Sequence, residues 1–407
     1  MPRFLRVVQA AAAGAAALAV MLEPAMAMAA AQHKHHGHQP ASTALPPGVQ
    51  CLSAASRQFH GVPWPQQVLA PKRVWNLTEG AGQLVAVVDS GVSATAPGLA
   101  GAVLPGRDTL TGRGGDTDCL GHGTFTAGLI AARPVFGTGL EGLAPQARIL
   151  PVDVIDPAQA ESNDPVTSSS AVAAGITYAV NAGATVVDVS TATTPGPSTA
   201  LREAVAYAEA KNVVVIAPVS TSSGTTPANV TSYPADYPGV IAVAAVDQDG
   251  NPVNAAGKGV PVDLAAPGVS LVSVRPAGGG DISGNGSALA TAFVAGTAAL
   301  VRSYYPYLSA SEVVHRLEVT ADQPGTTLPD PQVGYGIVDP YTAVTTVLPE
   351  ESGGTAPKVP PARAIRLPPQ LPADTWPMIG ALIVCGLVIA GLLTAGITAH
   401  IVRQARG

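Results

Sequence analysis

Five apolar runs constrain this chain more than anything else in it. The first, Leu84-Val85-Ala86-Val87-Val88, is uninterrupted and ends in Asp89-Ser90-Gly91; the others lie at 147–154, 185–189, 213–217 and 240–246. A strand that faces water on one side alternates apolar and polar residues, whereas a strand buried on both faces does not, and burial on both faces is the rule in parallel sheets. Helical patterns at 168–181 and 198–211 lie between the runs. Alternation of this kind implies an α/β domain, a parallel sheet with helices on both faces and right-handed crossovers. Ligands of such sheets gather beyond the carboxyl ends of the strands, and Asp89 stands at one of those ends.

The 407 residues suffice for one large domain with appendages, and 44 Gly and 38 Pro imply many tight turns. A net charge of −6 argues against a surface that tracks phosphates, so nucleic acid is not an expected partner.

Residues 1–31 have the form of a secretory signal: Arg3 and Arg6, an Ala-rich apolar run over 7–22, then the small residues of Ala25-Met26-Ala27-Met28-Ala29. An uncleaved N-terminal anchor is the alternative. An extension follows over 32–74. Its His33, His35, His36 and His38 could bind a metal, but a flexible polar arm is the simpler reading, and no metal or cofactor is expected. Cys51 in this extension is expected to bond to Cys119, since an exported chain favours oxidised pairs; two free thiols are the alternative. The large domain is placed at 75–347 and a Pro-rich, extended linker at 348–377. The apolar stretch 378–400 is read as one transmembrane helix; its 22 residues from Met378 to Ala399 would reach about 33 Å, against a hydrocarbon core of about 30 Å. Arg403 and Arg406 assign 401–407 to the cytoplasm by the positive-inside rule, leaving the large domain outside the cell membrane.

Three short motifs carry chemistry. Val87-Val88-Asp89-Ser90-Gly91-Val92 offers a carboxylate at a strand end. Gly121-His122-Gly123-Thr124 offers an imidazole where 125–131 reads as a helix, with glycines that would let a substrate backbone approach. Asn285-Gly286-Ser287-Ala288-Leu289-Ala290, with Val294-Ala295-Gly296 beyond it, opens another helix. Their order and spacing resemble the Asp, His and Ser segments of subtilisin-like serine proteases, and Ala266-Pro267-Gly268-Val269-Ser270 resembles a landmark just before that family's nucleophile. The resemblance assigns Asp89 and His122 to the catalytic pair and Ala288 to the seat of the nucleophile, with Ser287 where the family carries threonine. Asp118-Cys119-Leu120-Gly121-His122-Gly123, the Val333-Gly334-Tyr335-Gly336-Ile337-Val338-Asp339 close, the linker and the single span resemble the mycosins, membrane-anchored subtilisin-like proteins of type VII secretion. That resemblance implies a place on the outer face of the secretion membrane complex, in a duty separable from proteolysis.

Three departures from the family pattern set the functional expectation. Ala288 has no oxygen with which to attack a carbonyl. Thr221, or Ser220 if the register slips by one, stands where the family places its oxyanion asparagine. Ala192 stands where the family has a substrate-clamping glycine. Losing one oxyanion donor costs about a hundred- to a thousand-fold, and losing the subtilisin nucleophile about a million-fold. The expectation is a degenerate protease kept as a structural or assembly component, with a cleft still able to hold a peptide. Two alternatives stay open: an active endopeptidase that uses Ser287, and a stand-alone peptide-binding module.

Overall fold

The computed structural model describes residues 51–135, 137–156, 167–191, 193, 196–220, 231–253, 261–351 and 396. The expected signal, the His-rich tract and most of the linker and membrane span lie outside these residues. Contacts divide the chain into Met1–Lys358 and Val359–Gly407, and all but one described residue belongs to the first unit. Among the described residues no helix is long and apolar enough to cross a membrane.

The apolar runs become the centre of one sheet. Strands β1 (Leu84–Asp89), β3 (Arg148–Asp153), β4 (Val186–Val189), β5 (Val214–Pro218) and β6 (Val240–Val246) are parallel neighbours in the order β3-β1-β4-β5-β6. The short β2 (Arg107–Asp108) extends the β3 edge; β7 (Pro252–Val253) pairs antiparallel and β8 (Leu264–Pro267) parallel with β6. β9 (Leu271–Val274) and β10 (Asp281–Gly284) form a separate antiparallel ribbon.

The sheet is clothed on both faces, as the apolar runs require. Alternate residues of the same strand enter different cores: Val85 and Val87 enter one, Ala86 and Val88 the other. On the first face lie α2 (His122–Ala131) and the long α5 (Ser287–Tyr304), which is buried nearly all round and so reads apolar on every side. The second face carries α3 (Ser169–Asn181) and α4 (Thr199–Ala210). Each starts one residue after a serine, Ser168 or Ser198, whose hydroxyl accepts from the third amide beyond it. The chain order of the strands reverses around β1, flanked by β3 and β4, so the switch point of the sheet falls at the carboxyl end that carries Asp89.

Residues 51–60 of the extension lie as a strap across the domain. The Cys51–Cys119 disulfide fastens it. Backbone bonds then run along it, from Leu52 N to Cys119 O (2.8 Å), Gly280 N to Ala55 O (2.8 Å) and Asp281 N to Arg57 O (2.9 Å). Helix α1 (Trp64–Leu69) ends the extension, and Trp64 Nε1 donates to Val269 O at 2.9 Å. At the other end of the described domain, α6 (Ala310–Val319) and α7 (Pro340–Thr345) are joined by Arg316. Its guanidinium is buried against Glu351 and donates to Ala343 O at 2.7 Å.

Candidate active site

Strand β1 delivers Asp89 fully buried, and His122 is the first residue of α2. His122 Nδ1 lies 2.7 Å from Asp89 Oδ2. Asp89 also accepts from Ser90 N on Oδ1 (2.6 Å) and from the Ser190 hydroxyl on Oδ2. The carboxylate is thus saturated and fixed, while the imidazole remains about one-fifth exposed.

What brings helix and strand so close is Gly123. A Cβ there would sit 2.1 Å from Gly91 O and 3.1 Å from Asp89 Cβ. The glycine after His122 therefore makes room for the protein's own strand end, rather than for a substrate as the sequence suggested. Gly121, at φ 88°, turns the chain into α2 in a conformation that side-chain-bearing residues rarely adopt.

Asp118 holds this turn. Its Oδ1 accepts from Ser90 Oγ (3.0 Å), Leu120 N (3.0 Å) and Gly121 N (2.7 Å); its Oδ2 accepts from Thr124 N (2.8 Å) and Thr124 Oγ1 (2.7 Å). One carboxylate thereby ties the exit of β1 to the start of α2 and fixes Asp89 relative to His122. Burial nevertheless pushes its pKa up to about 6, with Thr124 and Gly121 opposing. Burial likewise pushes Asp153, at the end of β3, and Asp188, within β4, up to about 8.

The other half of the site is the turn into α5. Gly286 N donates to Gly268 O (2.7 Å) and Ser270 N to Asn285 Oδ1 (2.6 Å), so the 266–270 segment seats this turn. Ser287 is fully buried. Its hydroxyl donates to Ser220 O (2.8 Å), leaving the Ser220 hydroxyl to donate to Ser287 Oγ (2.8 Å). Ala288, the next residue, is also fully buried, and its carbonyl accepts from Thr291 Oγ1 at 2.7 Å. Thr221 and Ala192 lie outside the described residues. Among the described residues no group of three or more His, Cys, Asp or Glu is placed to hold a metal ion.

A profile of the subtilase family matches residues 80–336, the whole span from β1 to the 333–339 close. The chain belongs to the subtilase family. Thermitase from Thermoactinomyces vulgaris is 39% identical over 66% of this chain and 90% of its own length. Mycosin-3 from Mycobacterium tuberculosis is 35% identical over 78% of this chain and 79% of its own length, which makes the chain a mycosin homologue. The solved structure of the MycP3 protease from the type VII (ESX-3) secretion system superposes with a TM-score of 0.62 at 30% identity, covering 76% of this chain and 98% of that one.

Within this subtilase fold the sequence brought out Asp89, His122, Ser287 and Ala288, and missed three supports. Asp118 was read only as part of a motif, and Ser190 was given no role. Asp188 was passed over, although a carboxylate inside Val186-Val187-Asp188-Val189 is the one break in an apolar strand and so a visible signal.

Proposed function

We propose that this chain is a catalytically degenerate mycosin, kept as a structural or assembly component of a type VII secretion membrane complex. The observation that carries the reading is the buried methyl group of Ala288 at the second position of α5, where a subtilase needs its hydroxyl. A serine protease needs a nucleophile, a base and an orienting carboxylate together. Asp89 and His122 supply the last two. The base has no hydroxyl to deprotonate at Ala288, and the adjacent Ser287 hydroxyl is spent on Ser220. A one-residue step along a helix also turns a side chain by about 100°, which directs Ser287 away from the place of its neighbour. Thr221 in the oxyanion place adds a second, separate loss.

The relatives' names support the secretion context: one solved neighbour is described as an essential component of the type VII (ESX-1) secretion system. We read the 378–400 segment as the anchor that holds the domain on the outer face of the membrane. The test is fluorophosphonate labelling of the purified chain. No adduct is expected. A covalent adduct on Ser287 would overturn the reading and make this an active endopeptidase.

A further inference from the structure

The site contains a buried acid that none of this chemistry uses. Asp188 sits in β4, in register with Val87 of β1 and Ile216 of β5. It shares the strand face of Val186, which packs in the same core as α2 and α5. It is 0% exposed, and neither carboxyl oxygen has a partner at hydrogen-bond geometry. The hydroxyl that approaches it is Thr291, at the start of the second turn of α5, and the Thr291 proton is already given to Ala288 O.

A carboxylate stripped of water and of donors does not hold its charge; it takes up a proton instead. As a neutral acid, Asp188 has an O–H to offer, and the Thr291 oxygen, its own proton engaged at Ala288, is free to accept. As an anion, Asp188 needs a donor, and the nearest is that same Thr291 proton. Thr291 then has to turn from Ala288 O to Asp188, and the first turn of α5 loses its side-chain tie. We propose that Asp188 is a positioning residue for the turn that carries Ser287 and Ala288, and that its proton decides which way the Thr291 hydroxyl points.

The charged and titratable groups that bear on Asp188 are few. Asp89 from β1 opposes its ionisation and His122 from α2 favours it, while burial is the largest cause of its upward shift to about 8. Strand β5 presents no titratable side chain, and α5 carries Arg302 and Tyr304 only at its far end. Between the ordinary carboxyl value and about 8, the folded chain keeps a proton that the unfolded chain has lost. Stability therefore falls as pH rises through that window and levels off above it.

The inference concerns the seat of the turn and stands whether or not the site turns over. The test is amide hydrogen exchange of residues 287–291 in the full chain, followed from about pH 6 to about pH 10 and corrected for base catalysis. The wild type is expected to lose protection by about tenfold or more as pH rises from about 6 to about 8, and to level off above pH 8. Asp188→Asn, whose amide can donate to Thr291 at every pH, should show no such step. Asp153→Asn removes another acid that titrates near 8 and should leave the step in place. Thr291→Val, which removes the hydroxyl and keeps the acid, should abolish it. The proposal is overturned by a wild type without the step, by a step that survives Asp188→Asn, or, where that variant does not fold, by a step that survives Thr291→Val.

Discussion

The two halves of the site are built differently. Around Asp89 and His122 the polar contacts support the pair: Ser90 and Ser190 donate to the Asp89 carboxylate, and Asp118 ties Ser90 to the start of α2. Around the start of α5 the hydroxyls bond to each other or to nearby backbone carbonyls: Ser287 to the Ser220 hydroxyl and carbonyl, and Thr291 to Ala288 O. The dyad is preserved because it is also architecture. Gly91, Gly123 and Asp118 hold the exit of β1 against α2, and a Cβ at either glycine would meet a backbone carbonyl oxygen at 2.1 Å. On the proposed reading the nucleophile is not architecture, since a methyl group at Ala288 fills a buried helix position as well as a hydroxyl would. On that reading, loss of catalysis strikes first where chemistry and packing are separable.

The strongest way to break this comparison is to restore the missing atom. Ala288→Ser should give a chain that fluorophosphonate labels at residue 288, with the label lost again on His122→Ala. Since the nucleophile accounts for about a million-fold in subtilisin, the gain over wild type is the largest effect expected in this molecule. Turnover of a peptide ester should still fall short of an intact subtilase by about a hundred- to a thousand-fold if, as proposed, Thr221 takes the oxyanion place. Adding Thr221→Asn should recover much of that shortfall. If Ala288→Ser stays unlabelled, the dyad half is not poised and the contrast drawn here fails.

The dyad half can be broken from beneath. Asp118→Ala leaves the amides of Leu120, Gly121 and Thr124 without their acceptor. Each orphaned buried donor costs about 1–3 kcal/mol, offset in part by removing a buried charge, so a net loss of about 3 kcal/mol is expected in denaturant unfolding. The His122–Asp89 proton seen by NMR should broaden in this variant. A sharp, unmoved signal together with full stability would show that Asp118 does not hold the pair.

The sequence made the sheet legible because burial on both faces leaves a plain mark: the runs at 84–88, 213–217 and 240–246 fall on β1, β5 and β6 with ends shifted by a residue or so. The serines at 168 and 198 fixed two helix starts for an equally local reason. The edge strands β2 and β7, two residues each, left no mark, since so short an element has no period to read. The pairing of Cys51 with Cys119 was legible from compartment alone, but the strap it secures was not, because backbone bonds between an irregular segment and a distant ribbon depend on no side-chain pattern. The same limit hid the exchange between Ser220 and Ser287, which lie 67 residues apart.

That exchange supplies the smallest and most discriminating effect. If Ser287 is structural, Ser287→Ala should cost only the hydrogen bonds it makes with Ser220, about 1 kcal/mol each. Thermal unfolding should shift by a few degrees, with no change in the labelling of the Ala288→Ser background beyond what the looser turn explains. Ser287→Thr should recover the loss, since it keeps the hydroxyl and matches the residue type other subtilases carry there. A hydroxyl held for chemistry behaves in the opposite way: its removal leaves stability alone and ends whatever residual turnover exists, and threonine, bulkier at the reacting carbon, does not rescue it. The sign of the threonine variant thus separates a hydroxyl that fastens the turn from one that would attack from it.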